Sequence, residues 1–211
     1  QQMLENGAYI YNQREKIEKI ADELCKKGFE NVLFTSSGGS VAMMQPFAYM
    51  MKVMSATPAI SEVAAELILT GNPQISEKTV AFLASKSGDT METLEAAKYL
   101  KERKVPLVSV IGKENSPLEE LSDYAVVYKD GRPQELILYL LIGKLLYNMG
   151  EFDQYPRFAE ELKNLPAALV SVRKSVGAGI FLRDVRTGRI SVAEDEVCKF
   201  AGIFSWRHRA D

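Results

Sequence analysis

The sequence predicts an α/β protein with a five-stranded parallel sheet flanked by helices. Five short runs are rich in apolar and β-branched residues, and segments with a helical spacing of apolar residues separate them. The runs are apolar nearly throughout, which is typical of strands that are covered on both faces of a parallel sheet. The five strand candidates are residues 31–35, 57–60, 79–84, 106–111 and 124–128.

The composition is that of an ordinary globular protein and argues against several classes of partner. Of the 211 residues, 46% are hydrophobic and 26% are charged, and the formal net charge is −2. This charge offers no basic face for nucleic acid or an anionic membrane, and no apolar run approaches the roughly 18 residues that span a bilayer. Residues 1–6 lack the layout of a signal peptide, so we expect a cytoplasmic protein.

The two cysteines indicate neither a disulfide framework nor a zinc site. Cys25 and Cys198 lie far apart in the sequence, and Cys25 falls at the end of a helical pattern, where we interpret it as a packing residue. We therefore expect no metal and no other cofactor.

The chain begins with a helical pattern and a first strand–helix pair. Residues 8–28 carry apolar positions at a helical spacing, and Gly28 is the stop signal. The strand at 31–35 leads to a helix over 41–54, whose methionines we interpret as packing residues. Because Pro46 lies within this helix, either its first turn is irregular or it starts later.

Two further strand–helix pairs follow. The strand candidate 57–60 precedes a helix over 61–69, which Gly71 ends. The strand 79–84 precedes an amphipathic helix over 90–103. The central part of the chain therefore alternates strand and helix, as a parallel sheet requires.

The last two strands lead into the most apolar helix. After the strand 106–111, a serine cap at Ser116 followed by Pro117 predicts a helix start. The strand 124–128 and a turn at 129–133 come next.

Two helical patterns close this region. Residues 134–149 are apolar nearly all round, so this helix is buried either centrally or at a subunit interface. The pattern over 152–173 is broken or kinked near Pro166.

Hydroxyl-rich loops follow two of the predicted strands. Ser36-Ser37-Gly38-Gly39-Ser40 follows the first strand, and Ser85-Lys86-Ser87-Gly88-Asp89-Thr90 follows the third. In an open α/β sheet, ligands bind at the carboxyl ends of the strands. The helix N-termini there offer unpaired N–H groups and the positive end of the helix dipole, so these loops predict a site for an anion such as phosphate.

These two loops in their strand–loop–helix context resemble the sugar isomerase (SIS) domain, whose second loop is usually Ser-x-Ser-Gly-[Glu/Asp]-Thr. The order of elements, the segment 115–118 and Glu135 at the start of a long apolar helix also match. Within that family the chain is most similar to the first SIS domain of fructosamine 6-phosphate deglycases and of glutamine–fructose-6-phosphate aminotransferases. The resemblance covers about residues 8–174 and implies a flavodoxin-like three-layer sandwich.

The resemblance implies which residues hold a phosphorylated sugar. Ser85, Ser87 and Thr90 correspond to phosphate ligands, and backbone N–H groups around Gly88 complete the cradle. In the first loop, Ser40 faces the sugar or the phosphate, whereas Ser37 and Gly39 depart from the residues most frequent in the family. Glu135 has a supporting role. The implied substrate site comprises Ser37, Gly38, Ser40, Ser85, Ser87, Gly88, Thr90 and Glu135.

The second half of a two-domain SIS enzyme has no counterpart here. In such enzymes a Glu-x-x-His-Gly segment of the second domain moves protons, whereas the one histidine of this chain is His208, in a different context. We therefore assign no catalytic residues, and expect an SIS domain at 1–174 and a divergent tail at 175–211. That tail is either the truncated or frameshifted start of a second SIS domain or a genuine short appendage.

The expected function is binding of a phosphorylated sugar or amino sugar, without nucleic acid or membrane. The parent activity implied by the resemblance is deglycation of a fructosamine 6-phosphate to a hexose 6-phosphate and an amine. Two alternatives remain, a non-enzymatic phosphosugar sensor and a single-domain phosphosugar isomerase. We expect a homodimer that forms through the apolar helix over 134–149.

Overall fold

A computed structural model describes residues 2–128 and 134–172. Strands and helices alternate after two N-terminal helices, and none of the helices in these ranges is long and apolar enough to cross a membrane. The elements are α1 (Gln2–Tyr11), α2 (Arg14–Lys27), β1 (Asn31–Ser36), α3 (Gly38–Met54), β2 (Ala59–Val63), α4 (Ala64–Thr70), β3 (Thr79–Ser85), α5 (Met91–Glu102), β4 (Leu107–Ile111), α6 (Pro117–Leu121), β5 (Tyr124–Val127), α7 (Glu135–Asn148) and α8 (Tyr155–Leu162).

The strands form one parallel sheet with the order β2-β1-β3-β4-β5. In register, Leu33 of β1 lies beside Ile60 of β2 and Ala81 of β3, and β4 continues the sheet with Leu107 beside Ala81. The five-stranded parallel sheet with flanking helices that the sequence predicts is thereby confirmed.

The strands bury both of their faces, because every residue of β3 and β4 is buried. Leu33 and Leu83 belong to a core cluster with residues of α4, α5 and α6. Side chains alternate along a strand, so Phe34 and Phe82 lie on the opposite face, where their rings stack with centroids 5.0 Å apart. On that face α3 packs on the sheet, and α7 packs against α2 and α3.

The apolar helix α7 is central to the single chain. Eight of its leucine and isoleucine side chains have no exposed surface, because α1, α2, α3 and α8 pack around the helix. The apolar surface of α7 is therefore already covered by the same chain, and a homodimer through this helix stays a prediction that its exposed residues, such as Tyr147, would carry. A homodimer formed through another surface stays a prediction.

Two local predictions change for reasons that involve a distant contact or solvent. The helix predicted over 8–28 is interrupted, since the side-chain amide of Gln13 donates to the Val127 carbonyl at 3.1 Å. Helix α3 begins at Gly38 and runs through Pro46, so neither an irregular first turn nor a late start is found. Pro46 and Ala42 are exposed, so water can satisfy the carbonyl that lacks a proline N–H partner.

The predicted C-terminal helix is shorter and interrupted. Helix α8 ends at Leu162, and residues 165–172 are helical again. The chain divides into two units, the first ending at Asn164, and residues 165–172 are the described part of the second. The predicted boundary at 174 and the tail 175–211 lie outside the described residues and stay predictions, as does the turn at 129–133.

A polar network fastens α8 to α2 and α7. The Tyr155 hydroxyl donates to Glu18 Oε1 at 2.8 Å and lies 3.1 Å from the Leu140 carbonyl oxygen. Arg14 pairs with Glu18 at 2.6 Å and with Glu160 on α8. Burial and the neighbouring Glu18 carboxylate raise the pKa of Tyr155 above its usual range, so the phenol stays a hydrogen-bond donor.

We expect Tyr155→Phe to lower the free energy of unfolding by about 1–3 kcal/mol, because it removes a buried hydroxyl that donates to the charged Glu18 carboxylate. Urea denaturation of the whole chain measures this loss. The matched control is Tyr147→Phe on α7, where the side chain is 39% exposed. That change should stay within about 0.5 kcal/mol of the original protein. Equal losses in both variants would contradict a specific role for the Tyr155 hydroxyl.

Candidate functional site

The two hydroxyl-rich loops lie side by side at the carboxyl edge of the sheet. β1 ends at Ser36 and β3 ends at Ser85, and these two strands are neighbours. From β1 the chain crosses to β2 on one side, and from β3 it crosses to β4 on the other. This reversal of direction is the switch point at which open α/β sheets bind ligands.

The second loop ends at the N-terminus of α5, whereas Gly38 to Ser40 of the first loop already form the first turn of α3. In neither helix is the N-cap hydroxyl used as a cap. Ser37 is the N-cap residue of α3 and Thr90 is the N-cap residue of α5, but neither side chain makes a cap hydrogen bond. The first N–H groups of a helix have no partners within the helix, so both N-termini can receive an acceptor. A serine or threonine at an N-cap usually fills this role itself.

Hydrogen bonds within the second loop hold it in one shape. The Gly88 N–H donates to Ser85 Oγ at 2.9 Å, and Ser85 Oγ lies 3.2 Å from Thr90 Oγ1. Ser85 is 3% exposed, whereas Ser87 is exposed at the surface. The Gly88 N–H that the resemblance places in the phosphate cradle is therefore engaged by Ser85 in this structure.

Backbone N–H groups between the end of β4 and the first turn of α6 hold the second loop in place. The Gly112 N–H donates to the Ser85 carbonyl at 3.1 Å, and the Leu118 N–H donates to the Gly88 carbonyl at 3.0 Å. A Cβ on Gly112 would lie 2.5 Å from the Lys86 carbonyl oxygen, and one on Gly88 would lie 2.3 Å from Ser116 Oγ. These close approaches require glycine at both positions.

Ser116 begins α6 as predicted, but its hydroxyl is not a cap. Its Oγ is buried and has no hydrogen-bond partner, because the side chain lies against Gly88. The Leu118 N–H, which a cap hydroxyl could accept, donates instead to the Gly88 carbonyl. The Glu119 carboxylate accepts from the Asn115 N–H at 2.7 Å. The sequence pattern places the helix start correctly, but the cap contact is made by a backbone carbonyl of the second loop.

Thr93 of α5 joins the first loop to the second. Its Oγ1 donates to Ser37 Oγ at 3.4 Å and lies 3.5 Å from Ser36 Oγ, whose own hydroxyl donates to the Ala84 carbonyl. Thr93 is 1% exposed, whereas Ser37 and Ser40 are half-buried and Gly38 is exposed.

Glu135 lies near this edge, at the start of α7. Four residues later, the Tyr139 ring meets the Phe47 ring of α3 edge to face at 4.8 Å. Burial and the Glu135 charge raise the pKa of Tyr139. The supporting role of Glu135 stays a prediction.

The structure brings together the seven loop residues that the sequence selects, and it adds three supporting residues. Gly112 and Thr93 are not selected from the sequence, and Ser116 is selected only as a cap. A signal for Thr93 exists, since it occupies the core-facing stripe of α5 with Ala96, Ala97 and Leu100. A hydroxyl in such a stripe requires a polar partner.

Within residues 2–128 and 134–172, no group of three or more His, Cys, Asp or Glu side chains could hold a metal ion. His208 lies outside these ranges, so the structure assigns it no contact.

A sequence model of the SIS domain matches residues 26–147. The fructosamine deglycase FrlB of Bacillus subtilis is 29% identical over 117 residues, which are 55% of this chain and 36% of that protein. An isomerising glutamine–fructose-6-phosphate aminotransferase of Tropheryma whipplei is 27% identical over 74% of this chain and 27% of its own length. The chain thus spans about a third of the length of these curated relatives.

Solved structures share the fold. A Salmonella typhimurium protein provisionally described as a phosphosugar isomerase has a TM-score of 0.72 and 21% identity, over 77% of this chain and 52% of that chain. The NanR protein of Vibrio vulnificus, solved with ManNAc-6P, has a TM-score of 0.54 and 20% identity, over 78% of this chain and 68% of that one.

We expect Gly88→Ala to lower the free energy of unfolding by roughly 2–5 kcal/mol, because a side chain at a positive φ is strained and this one overlaps Ser116. The φ angle of Gly88 is +72°. Urea denaturation measures the loss, and Gly39→Ala is the matched control, since a Cβ there meets no atom within 4 Å. Adding Ser116→Gly should recover only part of the loss, because the φ strain remains. Equal stability of the two alanine variants would contradict the close packing.

Proposed function

The chain belongs to the SIS domain family, and from that premise we propose that the carboxyl edge of its sheet binds the phosphate of a phosphorylated sugar or amino sugar. The observation that carries this proposal is the pair of helix N-termini at the switch point, whose N-cap hydroxyls are not used as caps. Unpaired N–H groups and the positive ends of two helix dipoles attract a phosphate without a fixed counter-charge.

The second loop divides its work between contact and support. Ser87 is exposed and Thr90 is half-buried at the start of α5, so both hydroxyls can turn toward a phosphate. Ser85 is buried and its hydroxyl oxygen accepts the Gly88 N–H, so Ser85 orders the loop. We assign its hydroxyl proton to a phosphate oxygen on the side of the site that faces the sheet. Neutral donors on a loop shaped before binding suit a dianion, because little order must be gained when it binds.

The first loop has room for the sugar. A Cβ built on Gly38 or on Gly39 meets no atom within 4 Å, so the space above the start of α3 is open. Ser37 and Ser40 flank this space, and both are half-buried. We assign them to the sugar hydroxyls, or to a phosphate oxygen that reaches this side of the site.

The activity we propose for the parent protein is deglycation or isomerisation of a fructosamine 6-phosphate. The support is the similarity to a fructosamine deglycase and to glutamine–fructose-6-phosphate aminotransferases. In this scheme the domain holds the phosphate while the sugar ring opens, and an acid/base pair from a second SIS domain moves the proton between C1 and C2. The same scheme makes the chain an anchoring half, which functions in a homodimer or beside a further domain.

A non-enzymatic phosphosugar sensor is the second candidate. It is favoured by the fold shared with NanR, a protein solved with ManNAc-6P. Turnover separates the two, because a sensor binds the sugar phosphate and releases it unchanged. Turnover by this chain without a second domain would instead favour a single-domain phosphosugar isomerase.

We expect a sugar phosphate to raise the melting temperature of the chain. A ligand at 100 times its dissociation constant adds about 2.7 kcal/mol of stability. Fructose 6-phosphate, glucosamine 6-phosphate and fructoselysine 6-phosphate are compared by thermal unfolding, with inorganic phosphate and unphosphorylated glucosamine as controls. Ser87→Ala should abolish most of the shift and leave the unliganded melting temperature unchanged, because its side chain is exposed.

The matched control is Ser61→Ala, an equally exposed serine on the edge strand β2. This variant should keep the full shift. A full shift in Ser87→Ala as well would exclude the second loop as the phosphate site. No shift with any sugar phosphate would overturn the proposed function.

A further inference from the structure

The hydroxyl of Thr93 is placed where it can control a neighbour in the site. Thr93 belongs to the first turn of α5, the helix that follows the second loop, but its hydroxyl reaches Ser37 in the first loop. At 1% exposure it has no direct access to a ligand in solvent. A buried hydroxyl bridging two ligand loops is therefore suited to orienting a residue that does meet the ligand.

The direction of the hydrogen bonds follows from the number of protons. A hydroxyl has one proton to donate and can accept through its lone pairs. Ser36 donates to the Ala84 carbonyl, so its proton is committed, and Thr93 donates to Ser37 Oγ at 3.4 Å, the nearer of its two hydroxyl neighbours, with Ser36 Oγ at 3.5 Å. Ser37 is thus an acceptor toward the interior, and among the described residues no group accepts its own proton.

We propose that Thr93 is a positioning residue that holds Ser37 as a hydrogen-bond donor toward a bound sugar phosphate. This inference rests on the proposed function, since it concerns the same site. Without Thr93, the Ser37 hydroxyl can turn inward and donate its proton to Ser36 Oγ or to a backbone carbonyl. With Thr93 donating, the outward orientation of the Ser37 proton is favoured before the ligand arrives, which lowers the cost of binding.

The same contact couples the two loops. Thr93 lies three residues after the N-cap residue Thr90, on a helix whose first turn also faces the second loop. The 3.4 Å separation between Thr93 Oγ1 and Ser37 Oγ is long for a hydroxyl pair, which is commonly nearer 2.7–2.8 Å. Binding at the first loop can shorten it, because a ligand oxygen that accepts the Ser37 proton makes the Ser37 oxygen a better acceptor.

A double-mutant cycle on the whole chain tests the proposal. Fructose 6-phosphate and glucosamine 6-phosphate are titrated separately by calorimetry into the original protein, Thr93→Val, Thr93→Ser, Ser37→Ala and the Ser37→Ala/Thr93→Val pair. Valine keeps the volume of threonine and removes the hydroxyl, whereas serine keeps the hydroxyl. Urea denaturation checks each fold, and Thr93→Ala replaces Thr93→Val in the cycle if the valine variant is unfolded.

We expect Thr93→Val to raise the dissociation constant about threefold to tenfold, the usual effect of one neutral hydrogen bond. Thr93→Ser should stay within about twofold of the original value, because the donor is retained. In the Ser37→Ala background, Thr93→Val should have almost no further effect, since the oriented hydroxyl is already absent. A structural role alone predicts the same loss in both backgrounds.

Two results would overturn the proposal while leaving the proposed function intact. One is binding by Thr93→Val with an unchanged dissociation constant, and the other is an equal loss with and without Ser37. Failure of the original protein to bind either sugar phosphate has a different meaning. It would overturn the proposed function, and the role of Thr93 with it.

Discussion

The reversal of chain direction between β1 and β3 is the constraint on which the site depends. All five strands are parallel, so their carboxyl ends share one edge, and the central pair sends its connections to opposite sides. Two helix N-termini and two loops are therefore left next to each other, a juxtaposition that neither strand–loop–helix unit could produce alone.

The shape of the second loop depends in turn on a third segment, between β4 and α6. Gly112 and Leu118 donate backbone hydrogen bonds to the loop, and Ser116 packs against Gly88 so closely that a side chain there would overlap it. This support leaves a buried hydroxyl on Ser116 without a partner, which costs stability. The unpaired hydroxyl belongs to the side chain that packs directly against Gly88.

Local patterns predicted four of the five strands to within one residue and the long-range contacts poorly; β2, predicted at 57–60, is Ala59–Val63. The buried runs at 79–84 and 106–111 lie within one residue of β3 and β4, because apolar periodicity is a property of neighbouring residues. The break before α2 depends on Gln13 reaching Val127, which no window of sequence contains. The apolar character of α7 predicted burial correctly, but could not show that the same chain provides the cover.

In the candidate site too, local features were predicted from the sequence and long-range contacts were missed. The two loops were identified by their hydroxyls, glycines and position after strands, all of which are local. The partners that orient those hydroxyls come from elsewhere in the chain: Thr93 from the core-facing stripe of α5 and Gly112 from the end of β4. The ligand roles of the eight predicted residues stay predictions, because a sequence shows which groups can donate and leaves open where their protons point.

That direction is the decisive property of a phosphate site built from hydroxyls. A phosphate dianion accepts hydrogen bonds and donates none, so each serine contributes only if its single proton faces the ligand. The interior competes for these protons, as the Ala84 carbonyl does for Ser36. Donors in the interior counteract this competition, because the Thr93 hydroxyl donates to the Ser37 oxygen and the Gly88 N–H donates to the Ser85 oxygen. If the proposed function holds, these donors leave the protons of Ser37 and Ser85 for the ligand, and a site of neutral residues favours an anion.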